Sequence, residues 1–239
     1  MKFTIEPTVF DLLPNLVIAL PIIREFDNTK GKDASVALLR EAESNLRASM
    51  TPEVFWQDKR VMAYLDAFRA FGTDPEVRRP AHIALAKRVL EGGQLPDINP
   101  MVNIYNAMSI KYLTPFGGEN LDVLKGDFRL YIAKGGEIWF PIGSEKAKPA
   151  LPGELVWGDD VDLSTRALNW RQCDRTKMMD TTTNGFFVMD GFDEINRDVM
   201  EKASADFLKI VASVCGGNAE VFWMDRSHPS TPDIMGLST

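Results

Sequence analysis

Hydrophobic and polar positions divide the chain into a helical stretch and a strand-rich stretch, joined by one unusually polar segment. Residues 16–23, LVIALPII, form an apolar run with β-branched members. This is the pattern of a strand buried on both faces. A turn at Leu13-Pro14-Asn15 enters it and a loop at Asp27-Asn28-Thr29-Lys30-Gly31 closes it. From residue 33 the period lengthens. Val36, Leu38, Leu39, Ala42 and Leu46 recur near 3.6 residues and predict a helix over 33–50. Thr51-Pro52 reads as the N-cap and first residue of another helix. That helix would carry Phe55, Trp56, Val61, Met62, Tyr64, Leu65 and Phe68 and end near Gly72. Residues 81–90 predict a third, stopped by Gly92-Gly93. Beyond residue 118 the period shortens to two. Residues 128–133 and 137–142 alternate around Lys134-Gly135-Gly136 and predict a hairpin. Residues 155–157, 185–190 and 219–224 read as further strands. Residues 197–214 read as an amphipathic helix with Met200, Phe207, Leu208 and Val211 inward. The Ser-, Pro- and Thr-rich tail over 226–239 reads as loose. With no internal repeat and no linker, the pattern predicts an α+β fold, a mixed β-sheet with helices packed against it. One domain is expected over 1–225, with the helical segment 32–92 inserted after the first strand.

The polar segment is 95–118, LPDINPMVNIYNAMSIKYLTPFGG. It reads as a Pro-bounded loop, a short helix and a Pro-Phe-Gly-Gly turn. Asn103, Asn106 and Ser109 recur at three-residue spacing, which puts them on or near one helix face. Beside Met101, Ile104 and Met108 they would form the polar floor of a pocket, because half-buried polar groups are costly unless paired. A counterpart lies downstream in Asn169-Trp170-Arg171-Gln172-Cys173-Asp174-Arg175-Thr176-Lys177. Arg171 and Lys177 suit a phosphate or carboxylate, and Asp174 and Thr176 suit the orientation of a water or hydroxyl. The plainer alternative is a solvated turn of alternating charge. Against it stands Trp170, since tryptophan rarely decorates an exposed turn.

Composition narrows the function classes. A chain of 239 residues with 45% hydrophobic content can build a sizeable core. A net charge of −7 argues against the broad positive footprint of non-specific nucleic-acid binding and leaves room for a local basic patch. The two cysteines, Cys173 and Cys215, have no metal or disulfide spacing, and with eleven methionines they fit a reducing, cytoplasmic setting. The most apolar stretch contains Pro14, Asn15 and Pro21 and is shorter than the roughly 20 residues of a membrane span. Phosphate-loop and dinucleotide fingerprints are missing, so no cofactor is expected. Asp159-Asp160-Asp162 reads as a turn more readily than as a metal cluster, and no metal is expected. His82 and His228 lack the setting of a nucleophile system.

Several motifs agree in order with a known family. They are Leu95-Pro96, Ile98-Asn99-Pro100, Val102-Asn103, Tyr105-Asn106, Ser109, Lys111-Tyr112-Leu113, Pro115 and Gly117-Gly118. Ala133-Lys134-Gly135-Gly136-Glu137, Gly153-Glu154, Asn169-Trp170-Arg171-Gln172 and Thr176 follow. Over roughly 10–215 the chain resembles the free-standing B3/B4 domain proteins, relatives of the editing module in the bacterial phenylalanyl-tRNA synthetase β subunit. The resemblance implies a pocket that admits a tRNA 3′ end or an aminoacyl-like ligand and hydrolyses a mischarged ester. In it Asn103, Asn106, Ser109, Gln172 and Thr176 would orient substrate. Arg171 and Lys177 would hold phosphate or carboxylate, and Asp174, near the place of an editing-site Glu, would position water. Two departures stand out. Pro115-Phe116-Gly117-Gly118 lacks the histidine that follows the proline in the synthetase, and Asn103 replaces an expected Asp. An oxyanion can be held by backbone N–H groups without a histidine. A non-catalytic tRNA- or small-ligand-binding module and a small-molecule hydrolase that uses no RNA stay open as alternatives.

Overall fold

The computed structural model describes residues 1–235, so the end of the expected tail lies outside the described residues. The fold is α+β. In chain order the elements are β1 (Phe3–Ile5), α1 (Val9–Leu12), β2 (Leu16–Arg24), α2 (Lys32–Ser49), α3 (Pro52–Gln57), α4 (Lys59–Ala70), α5 (Ala81–Leu90), α6 (Pro100–Tyr112), β3 (Gly117–Asn120), β4 (Phe128–Ile132), β5 (Ile138–Trp139), β6 (Lys148–Pro149), β7 (Leu155–Gly158), β8 (Leu163–Arg166), β9 (Arg171–Gln172), β10 (Gly185–Phe192), α7 (Asp193–Val214) and β11 (Asn218–Met224). The strands form three sheets, of which the five-stranded one is mixed. One is β11-β2-β10-β3, one is β1-β4-β7-β8-β9, and a small ribbon joins β5 to β6.

β2 is interior in its sheet, as its continuous apolar run predicts. Its ladder to β10 pairs Ala19 with Met189 and Ile22 with Phe186 and is interrupted between them, where Pro21 has no N–H to donate. The helices gather on this sheet with α6 at their centre, packed against α2, α5 and α7. Every residue of α6 from Pro100 to Ile110 is buried. Such a helix needs firm ends. Asn99 accepts the Val102 N–H at 3.0 Å and Asn28, beyond β2, accepts that of Met101 at 2.9 Å.

Three local expectations change. The helix expected over 52–72 is two, because Asp58 is extended and its carboxylate caps a new start at the Arg60 N–H. The expected 128–142 hairpin does not form. β4 pairs with β1 in parallel and with β7 antiparallel, so both its edges are taken, and β5 turns away to β6. Glu137 drives that turn by accepting the Lys134 and Gly135 N–H groups at 2.7 and 2.9 Å. The tail is not loose over 226–235. Thr231 donates to the Phe3 carbonyl at 3.0 Å, Ile5 donates to that of Pro229 at 2.8 Å, and Ile234 is fully buried.

β3 lies close against the core. A Cβ on Gly118 would come within 2.5 Å of the Phe187 ring and 3.2 Å of Tyr105. Gly118→Ala is expected to cost roughly 1–3 kcal/mol, the usual cost of overpacking, read as a lower urea midpoint at unchanged m-value.

Candidate functional site

A cavity of about 310 Å³ opens where the two larger sheets meet the helices. α5 closes one side with Ala81, Ala84 and Leu85, and α6 contributes Tyr105 and Asn106. The 115–117 turn and Glu119 of β3 form the next wall, beside Val188 and Asp190 of β10. Trp157, Thr165, Leu168 and the 169–172 segment complete it, with Ile142 at the rim. The walls are mainly apolar and the polar groups few, the usual make-up of a small-ligand site.

Within α6 the three polar residues have different fates. Asn103 is fully buried and tied down, its amide donating to Ser35 at 3.2 Å and to Asp97 at 2.8 Å while its oxygen accepts the Ile98 N–H. Ser109 accepts the Phe116 N–H at 3.1 Å and fixes the 115–117 turn. Neither reaches the cavity, so both leave the substrate-binding set for a structural one. Asn106 lines the cavity at 8% exposure, and its amide has no partner among the described residues. An unpartnered amide at a cavity wall is a ready ligand contact.

The downstream stretch divides in the same way. Arg171 and Gln172 line the cavity. Arg171 is exposed, has no carboxylate partner among the described residues, and lies over the Trp170 ring at 5.3 Å. Gln172 reaches the Gly118 carbonyl at 3.3 Å. Thr176 is buried behind the cavity, hydrogen-bonded to Glu119. Asp174 and Lys177 are half-buried and paired with each other at 2.7 Å, and Asp174 also accepts the Gly143 N–H. The expected water-positioning role of Asp174 is therefore corrected: it stands off the cavity lining and clasps the 140–144 loop. Arg175 is locked between Asp159 and Asp162.

Leu168 and Asn169 are aimed inward by a strained turn. Ala167 and Leu168 both hold left-handed φ, 46° and 59°, at a cost of roughly 1 kcal/mol or more each. Leu168 N–H, donating to the Leu155 carbonyl at 2.8 Å, anchors the turn.

Two buried acids of the cavity lining, Glu119 and Asp190, lie outside both polar stretches. Glu119 accepts hydrogen bonds from Ser164, Thr165 and Thr176, the one from Thr165 at 3.0 Å. Burial pushes its carboxyl up, against the pull of those hydroxyls and of Arg175. Asp190 accepts from the Asn169 amide at 2.8 Å, and burial pushes its carboxyl up to about 7. Their common face follows from strand alternation. Gly117 pairs with Val188 and Glu119 with Phe186, so Glu119, Gly117, Val188 and Asp190 point the same way. Four residues of strand separate the two acids along the sheet, roughly 13 Å, so they do not share a proton. A carboxylate inside the apolar run GFFVMDGF was the signal for Asp190. His82, by contrast, is buried with both nitrogens unpaired and packed 4.3 Å from the Tyr64 ring. Burial, with the Arg60 charge, holds it down at about 3, so it is neutral and structural.

The cavity falls wholly within a recognised segment. A family model described as the B3/4 domain matches residues 63–215, more than half of the chain and every residue of the cavity lining. Among solved structures, an N-terminal fragment of the phenylalanyl-tRNA synthetase β-subunit from Pyrococcus horikoshii is similar, with a TM-score of 0.51 and 10% identity. The match covers 97% of this chain and 54% of that one, so the chain spans about half of that structure's length and shares its fold. No curated protein matches. With the family model spanning α5, α6 and both larger sheets' contributions to the cavity, the chain belongs to the B3/4 domain family.

Proposed function

We propose that the cavity receives the aminoacyl end of a charged tRNA, or an aminoacyl-like small molecule, and hydrolyses its ester. The observation that carries this reading is the shared cavity: Asn106 and Arg171, far apart in sequence, both line it. Apolar walls suit an amino-acid side chain. The unpaired Asn106 amide suits the ester carbonyl or the α-amino group. Arg171, exposed at the rim, suits a phosphate. Asp190 takes the water-positioning role first given to Asp174, because a carboxyl at about 7 is poised as a general base at neutral pH. The net charge of −7 favours a short RNA end over an extended RNA grip.

Deacylation of a panel of mischarged tRNAs tests the reading, with free aminoacyl esters as the RNA-free arm. Turnover above buffer is expected, with Asn106→Ala lowering kcat/KM about tenfold, the usual value of one hydrogen bond to substrate. Arg171→Ala is expected to weaken tRNA binding and to lower its salt slope by about one. Binding without turnover would leave a recognition module. Equal turnover of free esters would remove RNA from the reading, and absence of both binding and turnover would sink it.

A further inference from the structure

Glu119 is a buried carboxyl in the cavity wall with no cation paired to it. It is 4% exposed, and its protein partners are three hydroxyls, on Ser164, Thr165 and Thr176. In its carboxylate form such a group is an acceptor with about four lone-pair sites. Three are filled from the protein, which leaves capacity on the cavity side, where Glu119 contributes to the lining. No cation sits beside it. Arg175, whose charge reaches it, is itself held by Asp159 and Asp162, and Lys177 is held by Asp174. Arg171, the cation in the lining, is exposed. A buried carboxylate with hydrogen bonds and no counter-charge is stabilised most by a cation brought to it. A second residue, Asn106, lines the same cavity at 8% exposure, and its amide has no partner among the described residues.

We propose that the Glu119 end of the cavity is a cation-recognising pole, so that the aminoacyl group taken there ends in a protonated amine or a guanidinium. The inference rests on the aminoacyl reading of the cavity and adds its side-chain class. The methylenes of such a group lie along Val188, Phe116 and Trp157, and its charged end meets Glu119. The Ser164, Thr165 and Thr176 hydroxyls hold the carboxylate in place. A neutral donor at the same place would fill the lone pair and leave the charge uncompensated, so a cationic end is preferred over a hydroxyl.

The test is a matched ligand pair on the full chain. Trp157 and Trp170 line the cavity and report occupancy by fluorescence. The probes are adenosines carrying a 3′-amide-linked lysyl or norleucyl group, which cannot be hydrolysed and differ by the terminal amine. The lysyl analogue is expected to bind about tenfold tighter or more. Glu119→Gln is expected to abolish that preference. Norleucyl binding as tight as lysyl binding, on the wild-type chain alone, would overturn the cationic pole and leave the aminoacyl reading standing. Failure of both probes and of a wider aminoacyl-adenosine panel to bind would overturn the two together. Because the wild-type comparison decides the matter, a poorly folding Glu119→Gln does not shelter the proposal.

Discussion

Asp190→Asn is expected to stabilise the folded protein by roughly 2–4 kcal/mol at pH 8 and by almost nothing below pH 4, while lowering hydrolysis by two orders of magnitude or more. Burial raises this carboxyl from its ordinary 3.8 to about 7. Between those values the folded chain keeps a proton that the unfolded chain releases. The raised value therefore favours folding fully below 3.8, and that contribution is lost as pH rises through about 7. At pH 8 the wild-type fold carries a buried negative charge whose side-chain hydrogen bond comes from the neutral Asn169 amide. Below it, Tyr64 donates to the Asp190 backbone carbonyl at 2.6 Å and leaves the carboxylate uncompensated. A shift of about three units corresponds to about 4 kcal/mol at most, and relaxation around the cavity reduces it. Asn preserves the shape and still accepts from Asn169. For a chain of this size the gain reads as a rise of about 5–12 °C in Tm at pH 8. Thermal melts of both proteins at pH 4 and pH 8 decide the point. Equal Tm differences at the two values would show that the buried charge is not the source. Opposite signs for stability and activity are what a carboxyl retained for chemistry should give.

The same residue shows where sequence reading stopped. Apolar periodicity predicts β2, α2 and α5, and α6 shows through its bounding prolines and evenly spaced polar residues. Period two located β4 and β5 as well, but alternation names no partner, and the β4 edges were claimed by β1 and β7 from distant parts of the chain. The polar spacing in α6 is a real signal whose three members face different ways. Three-residue steps drift by about 60° each at roughly 100° per residue, so Asn103 and Ser109 stand about 120° apart around the helix. The first turns to Ser35 and Asp97 and the last to the Phe116 backbone, leaving Asn106 between them at the cavity. The 169–177 stretch likewise reaches the cavity through Gln172. Cys173 then turns inward among Ala133, Trp139 and Val156, and Asp174 emerges on the far side. Glu119 and Asp190 became visible once β3 and β10 were paired, since their shared face is a property of register and not of either strand alone.

Glu154→Ala should be the most damaging single change, costing roughly 3–5 kcal/mol and most of the cavity's ligand affinity with it. Glu154 and Arg166 are both buried and meet in two hydrogen bonds, at 2.8 and 2.5 Å, and Arg78 adds an ion pair at 3.1 Å. Alanine would leave Arg166 charged and unpaired in the interior, the situation in which breaking a buried pair is most expensive. The damage reaches the cavity by short steps. Arg78 covers the Trp170 ring at 5.2 Å, and Arg166 covers Trp139 at 5.3 Å while leading directly into the strained Ala167–Leu168 turn. Without the carboxylate, one of the ties that hold the left-handed Ala167 and Leu168 backbone is lost, and the wall formed by Leu168, Asn169 and Trp170 loosens. Paired replacement separates charge from shape. Glu154→Leu with Arg166→Met is expected to recover most of the stability lost in Glu154→Ala, because a buried ion pair and a packed apolar pair of similar volume are close in free energy. Chemical denaturation of the three proteins, with cavity tryptophan fluorescence as the second reading, is the measurement. A cost below about 1 kcal/mol for Glu154→Ala would mean that Arg166 finds water or another acceptor, and the cavity wall would then owe its shape to the Leu155–Leu168 backbone bond instead.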